Sequence, residues 1–125
     1  MPAHILTVED EPDLVDMIRT LLLRDGHEVS AARTGWEALD QITLHRPDLI
    51  LLDLMLPDLD GFGFCEILRR DPKTARIPIV IVSAWASPDS QQLGRELGVS
   101  DYLTKPFSPR ELRERVNRAL AQLAG

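Results

Sequence analysis

The run LILLD, residues 49–53, decides the fold, because four consecutive apolar residues end there in an acid. Two other runs have the same form: ILTVED, residues 5–10, ends in two acids, and IVIVS, residues 79–83, ends in a serine. Short, continuously apolar runs are typical of strands that are covered on both faces, as in a parallel sheet. The three runs therefore predict the central strands of an α/β fold.

Helical patterns alternate with apolar runs along the chain, which is the arrangement of βαβ units. The predicted strands are 4–8, 28–32, 48–53, 78–83 and 101–104, and the predicted helices are 12–25, 35–46, 61–70, 88–97 and 109–123. Helical spacing predicts one buried stripe in the first helix and another in the last, formed by Leu14, Ile18, Leu21 and Leu22 and by Leu112, Val116, Leu120 and Leu123.

The strands at 28–32 and 101–104 have the weakest apolar content, so we place them at the edges of the sheet. Right-handed crossovers then favour the strand order 2-1-3-4-5, with five helices in a flavodoxin-like three-layer sandwich. In that order the first and third strands flank the switch point, where α/β folds bind ligands. Their carboxyl ends carry Glu9, Asp10 and Asp53.

Length and composition restrict the class of protein. The 125 residues predict a single domain spanning 1–125, and 44% hydrophobic with 27% charged residues is typical of a soluble globular chain. Residues 1–60 hold 13 acids and 4 bases, a balance unsuited to nucleic acid. Neither a secretory signal nor a membrane span is expected, and one cysteine, Cys65, fits a reducing compartment, so a cytoplasmic location is expected.

Clustered carboxylates repel one another unless a cation lies among them. The turn after the first strand contains acids and no glycine, so it suits a hard divalent cation, most often Mg²⁺, better than a bare phosphate. Asp53 is then a candidate nucleophile that can take up a phosphoryl group as an acyl phosphate. Lys105 can pair with Asp53 at rest and with phosphate afterwards, and Ser83 adds a hydroxyl at the same edge.

Five motifs in order now resemble the receiver domain of bacterial two-component response regulators, over nearly the whole chain. They are ILTVEDE (5–11), DLILLDLMLP (48–57), DG (60–61), PIVIVSA (78–84) and DYLTKPF (101–107). The resemblance implies a phosphorylation-dependent switch that receives its phosphoryl group from a histidine kinase or a phosphotransfer protein. It is a protein that catalyses only its own phosphorylation and dephosphorylation, not a turnover enzyme.

The resemblance also implies residue roles. Asp53 is the phosphoacceptor, Lys105 is the phosphate-pairing lysine, and Ser83 and Tyr102 are the switch residues, although Tyr102 could equally be an ordinary edge-strand aromatic. The implied Mg²⁺ ligands, for which Mn²⁺ can substitute, are Glu9, Asp10, Asp53 and the backbone carbonyl of Met55. Glu9 is longer than the aspartate common at its position, so it is expected to reach the metal through water. The Lys105–Pro106 bond is expected to be cis.

Charged positions at Glu96, Asp101, Glu111 and Arg115 are similar to those of the winged-helix transcription-factor branch of the family. That similarity implies a homodimer through the fourth helix, the fifth strand and the fifth helix, the face that would also transmit the signal. No direct nucleic-acid or membrane contact is expected of the chain itself.

Three rival functions are each disfavoured by the sequence. A phosphatase or phosphotransferase with an aspartyl intermediate would need a second acid two residues after Asp53, where the chain has Met55. An inert scaffold has no reason to retain buried charge, and a flavin-binding protein would need a phosphate loop. His4, His27 and His45 lie far apart in sequence, show no metal-ligand spacing and are expected at surface or edge positions.

Overall fold

Five parallel strands form the centre of the molecule. A computed structural model describes the backbone of residues 2–124 and the side chains of residues 2–122. The strands are β1 (His4–Val8), β2 (Glu28–Ala32), β3 (Leu49–Leu52), β4 (Ile79–Ser83) and β5 (Asp101–Thr104), in the spatial order β2-β1-β3-β4-β5. The predicted order is confirmed, with β2 and β5 at the edges.

Five helices connect the strands and cover both faces of the sheet. They are α1 (Pro12–Arg24), α2 (Gly35–Leu44), α3 (Gly61–Arg70), α4 (Pro88–Glu96) and α5 (Pro109–Ala124). The predicted boundaries agree to within two residues, and the largest difference is at the end of α2. His45 is already extended there, and the next residue, Arg46, precedes Pro47, which disfavours helical geometry in the residue before it.

Two apolar cores lie on opposite faces of the sheet. Alternate strand residues pack with α2 and α3 on one face, around Phe64, and with α1 and α5 on the other face. The stripe predicted for α1 contributes Ile18 and Leu22, which are fully buried, and α5 contributes Leu112 and Val116. Each such side chain stabilises the fold by about 1.5–3 kcal/mol relative to an exposed one. Leu14, Leu21 and Leu120 pack at the margin, whereas Leu123 lies outside the described side chains.

Helix ends follow the capping chemistry of the sequence. Ser108 accepts a hydrogen bond from the Glu111 amide at 3.1 Å, and the Glu111 carboxylate accepts one from the Ser108 amide at 3.0 Å, which closes a complete capping box before α5. Gly26 and Gly98 follow α1 and α4 with φ of 87° and 72°, the left-handed region that only glycine adopts without strain.

The loop between β3 and α3 requires a glycine for a different reason. A Cβ placed on Gly61 would lie 2.6 Å from the Cα of Leu54, so no other residue fits without moving the backbone. In the same loop, the Asp58 carboxylate accepts hydrogen bonds from the amides of Gly35 and Trp36 and so caps the start of α2. This loop, which follows Asp53, is therefore fixed to both neighbouring helices.

Of the three histidines expected at surface or edge positions, His4 lies elsewhere. His4 is only 8% exposed and begins the inner strand β1, so the expectation is wrong for it, whereas His27, also 8% exposed, directly precedes the edge strand β2 and His45 is exposed. The imidazole of His27 accepts a hydrogen bond from the amide of Ala3, and the ring of His4 lies under that of His45. No helix within residues 2–124 has both the length and the apolar character needed to cross a bilayer.

Candidate functional site

The carboxyl ends of β1 and β3 bring three acids together. Val8 and Leu52 are paired across the two strands, so the residues that follow them leave the sheet side by side. Glu9, Asp10 and Asp53 each place a carboxylate oxygen within 4.8 Å of the other two. Glu9 and Asp53 are buried and Asp10 is exposed, which makes the cluster accessible from one side.

Lys105 compensates the two buried carboxylates. Its Nζ lies 2.9 Å from Oε1 of Glu9 and 3.0 Å from Oδ2 of Asp53, and the two acidic side chains are only 3% and 7% exposed. The amide of Lys105 donates to the carbonyl of Ser83 at 2.9 Å, which continues the β4–β5 pairing to the residue that carries the ammonium group. The peptide bond between Lys105 and Pro106 is cis.

The pKa values of Glu9 and Lys105 are both raised, for different reasons. Burial, assisted by the negative charge of Asp53 and opposed by Lys105, raises the pKa of Glu9 to about 6. Burial alone would lower the pKa of Lys105, but its hydrogen bonds to the two carboxylates outweigh that effect and raise its pKa. The ammonium group therefore stays charged at neutral pH, and the site retains surplus negative charge that favours a further cation.

The oxygens of Asp53 have distinct partners. Oδ1 accepts a hydrogen bond from the amide of Met55 at 3.0 Å, while Oδ2 accepts the one from Lys105. These two contacts fix the orientation of the carboxylate at the end of β3. The Met55 side chain is exposed, and its backbone follows the acid directly into the β3–α3 loop.

Ser83 and Tyr102 both contact the backbone of Trp85. The buried hydroxyl oxygen of Ser83 accepts a hydrogen bond from the Trp85 amide at 3.1 Å, and the hydroxyl of Tyr102 donates to the Trp85 carbonyl. Trp85 itself is 55% exposed. The loop from β4 to α4 is thus held at one residue by a side chain from β4 and a side chain from β5.

Comparison with known proteins accounts for this arrangement. Residues 5–117 match the family described as the response regulator receiver domain. The chain belongs to the response-regulator receiver domain family. Receiver domains are signalling switches, not turnover enzymes, and they take phosphoryl groups from histidine kinases.

Several relatives of this receiver domain are transcriptional regulators. It is 43% identical over 120 residues to the alkaline phosphatase synthesis transcriptional regulatory protein PhoP of Bacillus subtilis, covering 96% of this chain and 49% of that protein. It is 40% identical to the DNA-binding response regulator MtrA of Mycolicibacterium smegmatis, covering 96% of this chain and 51% of that protein. The chain thus spans about half the length of the curated relatives that it matches.

Solved structures show the same receiver fold. A putative response regulator from Chloroflexus aurantiacus has a TM-score of 0.90 and 38% identity, covering 97% of this chain and 99% of that one. The chemotaxis protein CheY4 of Vibrio cholerae also has a TM-score of 0.90, with 32% identity and coverage of 96% and 100%.

The structure of this receiver domain brings the predicted site residues to one edge of the sheet. Glu9, Asp10, Asp53 and Lys105 form one cluster, while Ser83 and Tyr102 meet at the adjacent loop. The acids offer only oxygen ligands, a set that suits a hard divalent cation.

Two features were missed at the sequence level. One is the direct hydrogen bond from the ammonium group of Lys105 to the carboxylate of Glu9, which the length of the glutamate side chain makes possible. The other is the part played by the backbone of Trp85, for which the sequence contains no signal because any residue has the same amide and carbonyl.

Proposed function

We propose that residues 1–125 form a single receiver domain in which Asp53 accepts a phosphoryl group from a histidine kinase or a phosphotransfer protein. The observation that carries the proposal is the position of Lys105, whose Nζ is 3.0 Å from Asp53 beside two further carboxylates. An acceptor needs an anion that is held in place and a positive charge that can neutralise the product, and both are present here.

The proposed ion is Mg²⁺, held by Glu9, Asp10, Asp53 and the backbone carbonyl of Met55. The all-oxygen donor set of the three acids supports this choice over a softer metal, and Mn²⁺ can substitute. When bound, the ion would neutralise the phosphoryl oxygens during transfer. Because Glu9 is bonded to Lys105, we propose that its share in metal binding is through water.

In the proposed reaction a carboxylate oxygen of Asp53 attacks the phosphorus of a phosphohistidine. The new P–O bond forms as the P–N bond breaks, the electron pair leaves with the imidazole, and Asp53 becomes an acyl phosphate. The Met55 amide and Lys105 orient the carboxylate before attack. Afterwards the ammonium group of Lys105 exchanges its hydrogen bond to Asp53 for one to a phosphoryl oxygen, because the phosphoryl group carries more negative charge than the carboxylate did.

A cleft beside the acceptor offers a route for the phosphodonor. It has a volume of about 460 Å³, and its walls include Leu14, Met17 and Phe107, with Lys105 also lining it. The apolar side chains come from α1 and from the loop before α5, and Asp10 does not line the cleft and is exposed. A partner helix that carries a phosphohistidine can pack its apolar side chains there and place the phosphorus at Asp53.

We propose that the backbone of Trp85 couples phosphorylation of Asp53 to a change in α4. If the side chain of Ser83 rotates to bring its hydroxyl to a phosphoryl oxygen, its oxygen moves away from the Trp85 amide, and the Trp85 carbonyl accepts a hydrogen bond from Tyr102. The following helix α4 buries only Ser90 and Gly94, so it is the element that costs least to displace. The conformational equilibrium of the face formed by α4, β5 and α5 would therefore shift on phosphorylation.

That face is also the proposed surface of a homodimer. The carboxylate of Asp101, at the start of β5, lies 2.9 Å from the guanidinium of Arg118 and 3.5 Å from that of Arg115, both on α5. These acidic and basic side chains alternate on the face, so the same groups can form ion pairs with a symmetry-related copy. We propose no direct contact of this chain with nucleic acid or membrane, and a cytoplasmic location, which agrees with the buried free thiol of Cys65.

The deciding experiment is phosphorylation by acetyl phosphate or a phosphorylated histidine kinase with and without Mg²⁺. The wild-type protein should incorporate one labelled phosphoryl group in a Mg²⁺-dependent reaction, and Asp53→Asn should incorporate none. Asp40→Asn, which changes an exposed aspartate on α2, is the matched control and should be labelled normally. Labelling of Asp53→Asn at the wild-type level would exclude Asp53 as the acceptor.

Dimerisation is tested by size exclusion with and without beryllofluoride. A shift to the dimer volume with beryllofluoride, abolished by Arg115→Glu, is the expected result. An unchanged monomer under both conditions would exclude the proposed surface.

A further inference from the structure

Two histidines and a glutamate meet at the end of the sheet opposite Asp53. His4 begins β1 and is paired in register with Glu28, which begins β2, while His45 follows the last residue of α2. This group, which we name the histidine cluster, combines the amino ends of β1 and β2 with the end of α2. It shares no residue with the acceptor site, which is formed by the carboxyl ends of strands.

The three side chains offer ligand atoms at close range. The imidazole rings of His4 and His45 are stacked, with centroids 4.0 Å apart and an angle of 17° between the planes. Nδ1 of His45 lies 3.9 Å from a carboxylate oxygen of Glu28. One nitrogen or oxygen from each residue lies within 4.8 Å of those from the other two, so rotation of the exposed His45 ring out of the stack can direct all three at a common point.

The buried ring of His4 has one nitrogen without a partner. His4 is 8% exposed, and its Nε2 lies 2.8 Å from the hydroxyl oxygen of Ser30. Its Nδ1 is buried and makes no hydrogen bond within the part of the chain that the structure describes. A buried polar atom without a partner costs stability, and the great majority of such atoms in folded proteins are satisfied. Packing of the two rings explains the stack but leaves this nitrogen without a partner.

We propose that the histidine cluster binds a borderline transition-metal ion, of which Zn²⁺ is the representative. Nδ1 of His4, a nitrogen of His45 and the Glu28 carboxylate provide two imidazoles and one carboxylate, a donor set that zinc accepts with a fourth position left to water. Mg²⁺ and Ca²⁺ prefer oxygen ligands throughout and are disfavoured. Ser30 acts as the outer-shell partner, because a hydrogen bond at the second nitrogen fixes the orientation of a ligating ring.

The cluster is accessible and couples distant segments. His45 and Glu28 are exposed, so an ion can enter from solvent and draw these two flexible side chains toward the fixed His4. Once bound, the ion links β1, β2 and the end of α2. Because the ligands converge only in the folded chain, binding stabilises the native state and raises the unfolding temperature.

The test is titration calorimetry of the full chain with ZnCl₂ in the presence of excess Mg²⁺, which occupies the acidic cluster at the acceptor site. We expect one Zn²⁺ per chain, together with a change in the imidazole ¹⁵N resonances of His4 and His45 in NMR spectra. His45→Gln and Glu28→Gln should each weaken binding by at least about 10-fold, the lower end of the loss caused by removing even an outer-shell partner. Both residues are exposed, so the variants should fold normally.

Two controls separate this site from the others. Glu66→Gln, which alters an exposed glutamate on α3, should bind Zn²⁺ like the wild type. Asp10→Asn, which disables the acidic cluster, should also retain Zn²⁺ binding, so the inference survives or fails independently of the proposed phosphorylation. The inference is wrong if Zn²⁺ fails to bind, if His45→Gln binds it unchanged, or if Asp10→Asn abolishes the binding.

Discussion

Replacement of Lys105 by methionine tests the electrostatic basis of the proposed acceptor site. Methionine retains most of the apolar stem but removes the ammonium group that lies 2.9 Å from Glu9 and 3.0 Å from Asp53. Both carboxylates are almost fully buried, so without Lys105 they repel each other with no counter-charge. We expect the variant to be strongly destabilised in the absence of a divalent cation.

The size of the effect follows from burial. Removing one partner of a buried ion pair typically costs 3–5 kcal/mol, because the remaining charge is left uncompensated. The Lys105 side chain is 19% exposed, so solvent screens part of its charge and the lower end of this energy range applies. We therefore expect the free energy of unfolding to fall by about 3 kcal/mol.

The assay is urea unfolding at neutral pH with EDTA present, followed by circular dichroism. Lys73 is the only other lysine in the sequence and is exposed, so Lys73→Met is the matched control and should change stability by no more than about 0.5 kcal/mol. Mg²⁺ should then recover part of the loss in Lys105→Met, by about 2.7 kcal/mol at a hundredfold excess over its Kd.

A double substitution makes the result specific. Lys105→Met combined with Asp53→Asn should be more stable than Lys105→Met alone, because the neutral amide ends the repulsion with Glu9. If Lys105→Met and Lys73→Met unfold at the same urea concentration, the ammonium group does not compensate these carboxylates and the electrostatic argument is refuted.

Three further predictions concern single residues. The pKa of Glu9 is about 6 in the folded chain against a usual 4.5, so the folded state binds its proton more tightly. Stability in EDTA should therefore fall by about 2 kcal/mol in total as pH rises from about 3.5 to about 7, and Glu9→Gln should remove this loss in urea titrations across that range. Gly61→Ala should lower the free energy of unfolding by about 1–3 kcal/mol, since its Cβ would overlap the backbone of Leu54; an unchanged melting temperature would contradict this. Arg69→Gln should lower the free energy of unfolding by about 2–4 kcal/mol, because the guanidinium donates hydrogen bonds to four backbone carbonyls and so joins α3 to neighbouring loops. Arg70→Gln, at an exposed site, is the control and should change stability by no more than about 0.5 kcal/mol in the same thermal melts.

Most of the fold could be predicted because its signals are local. Continuous apolar runs identify strands that are covered on both faces, and Ser108 with Glu111 marks the start of α5 through contacts only three residues apart. The end of α2 was predicted two residues too late, because the periodic pattern continues past the point where Pro47 imposes an extended backbone.

The convergence of the site residues was also predictable, although they are far apart in sequence. Parallel strands place their carboxyl ends at one edge of a sheet, so the order of strands is enough to bring Asp53 beside Glu9 and to put Lys105, after β5, at the same edge. What the order of strands does not specify is which side-chain atoms meet. The ammonium group divides its hydrogen bonds between two acids, and this depends on rotamers that the backbone alone does not set.

The sequence by itself determined the strand order, the position of the helices and the edge of the sheet at which the acids collect, because each follows from periodicity, capping and the direction of parallel strands. Only the tertiary structure decided that Ser83 and Tyr102 share the backbone of Trp85, and that His4 is buried beneath His45 at the opposite end. These contacts join segments whose relative positions are fixed by packing of the whole domain, and packing leaves no periodic signal along the chain.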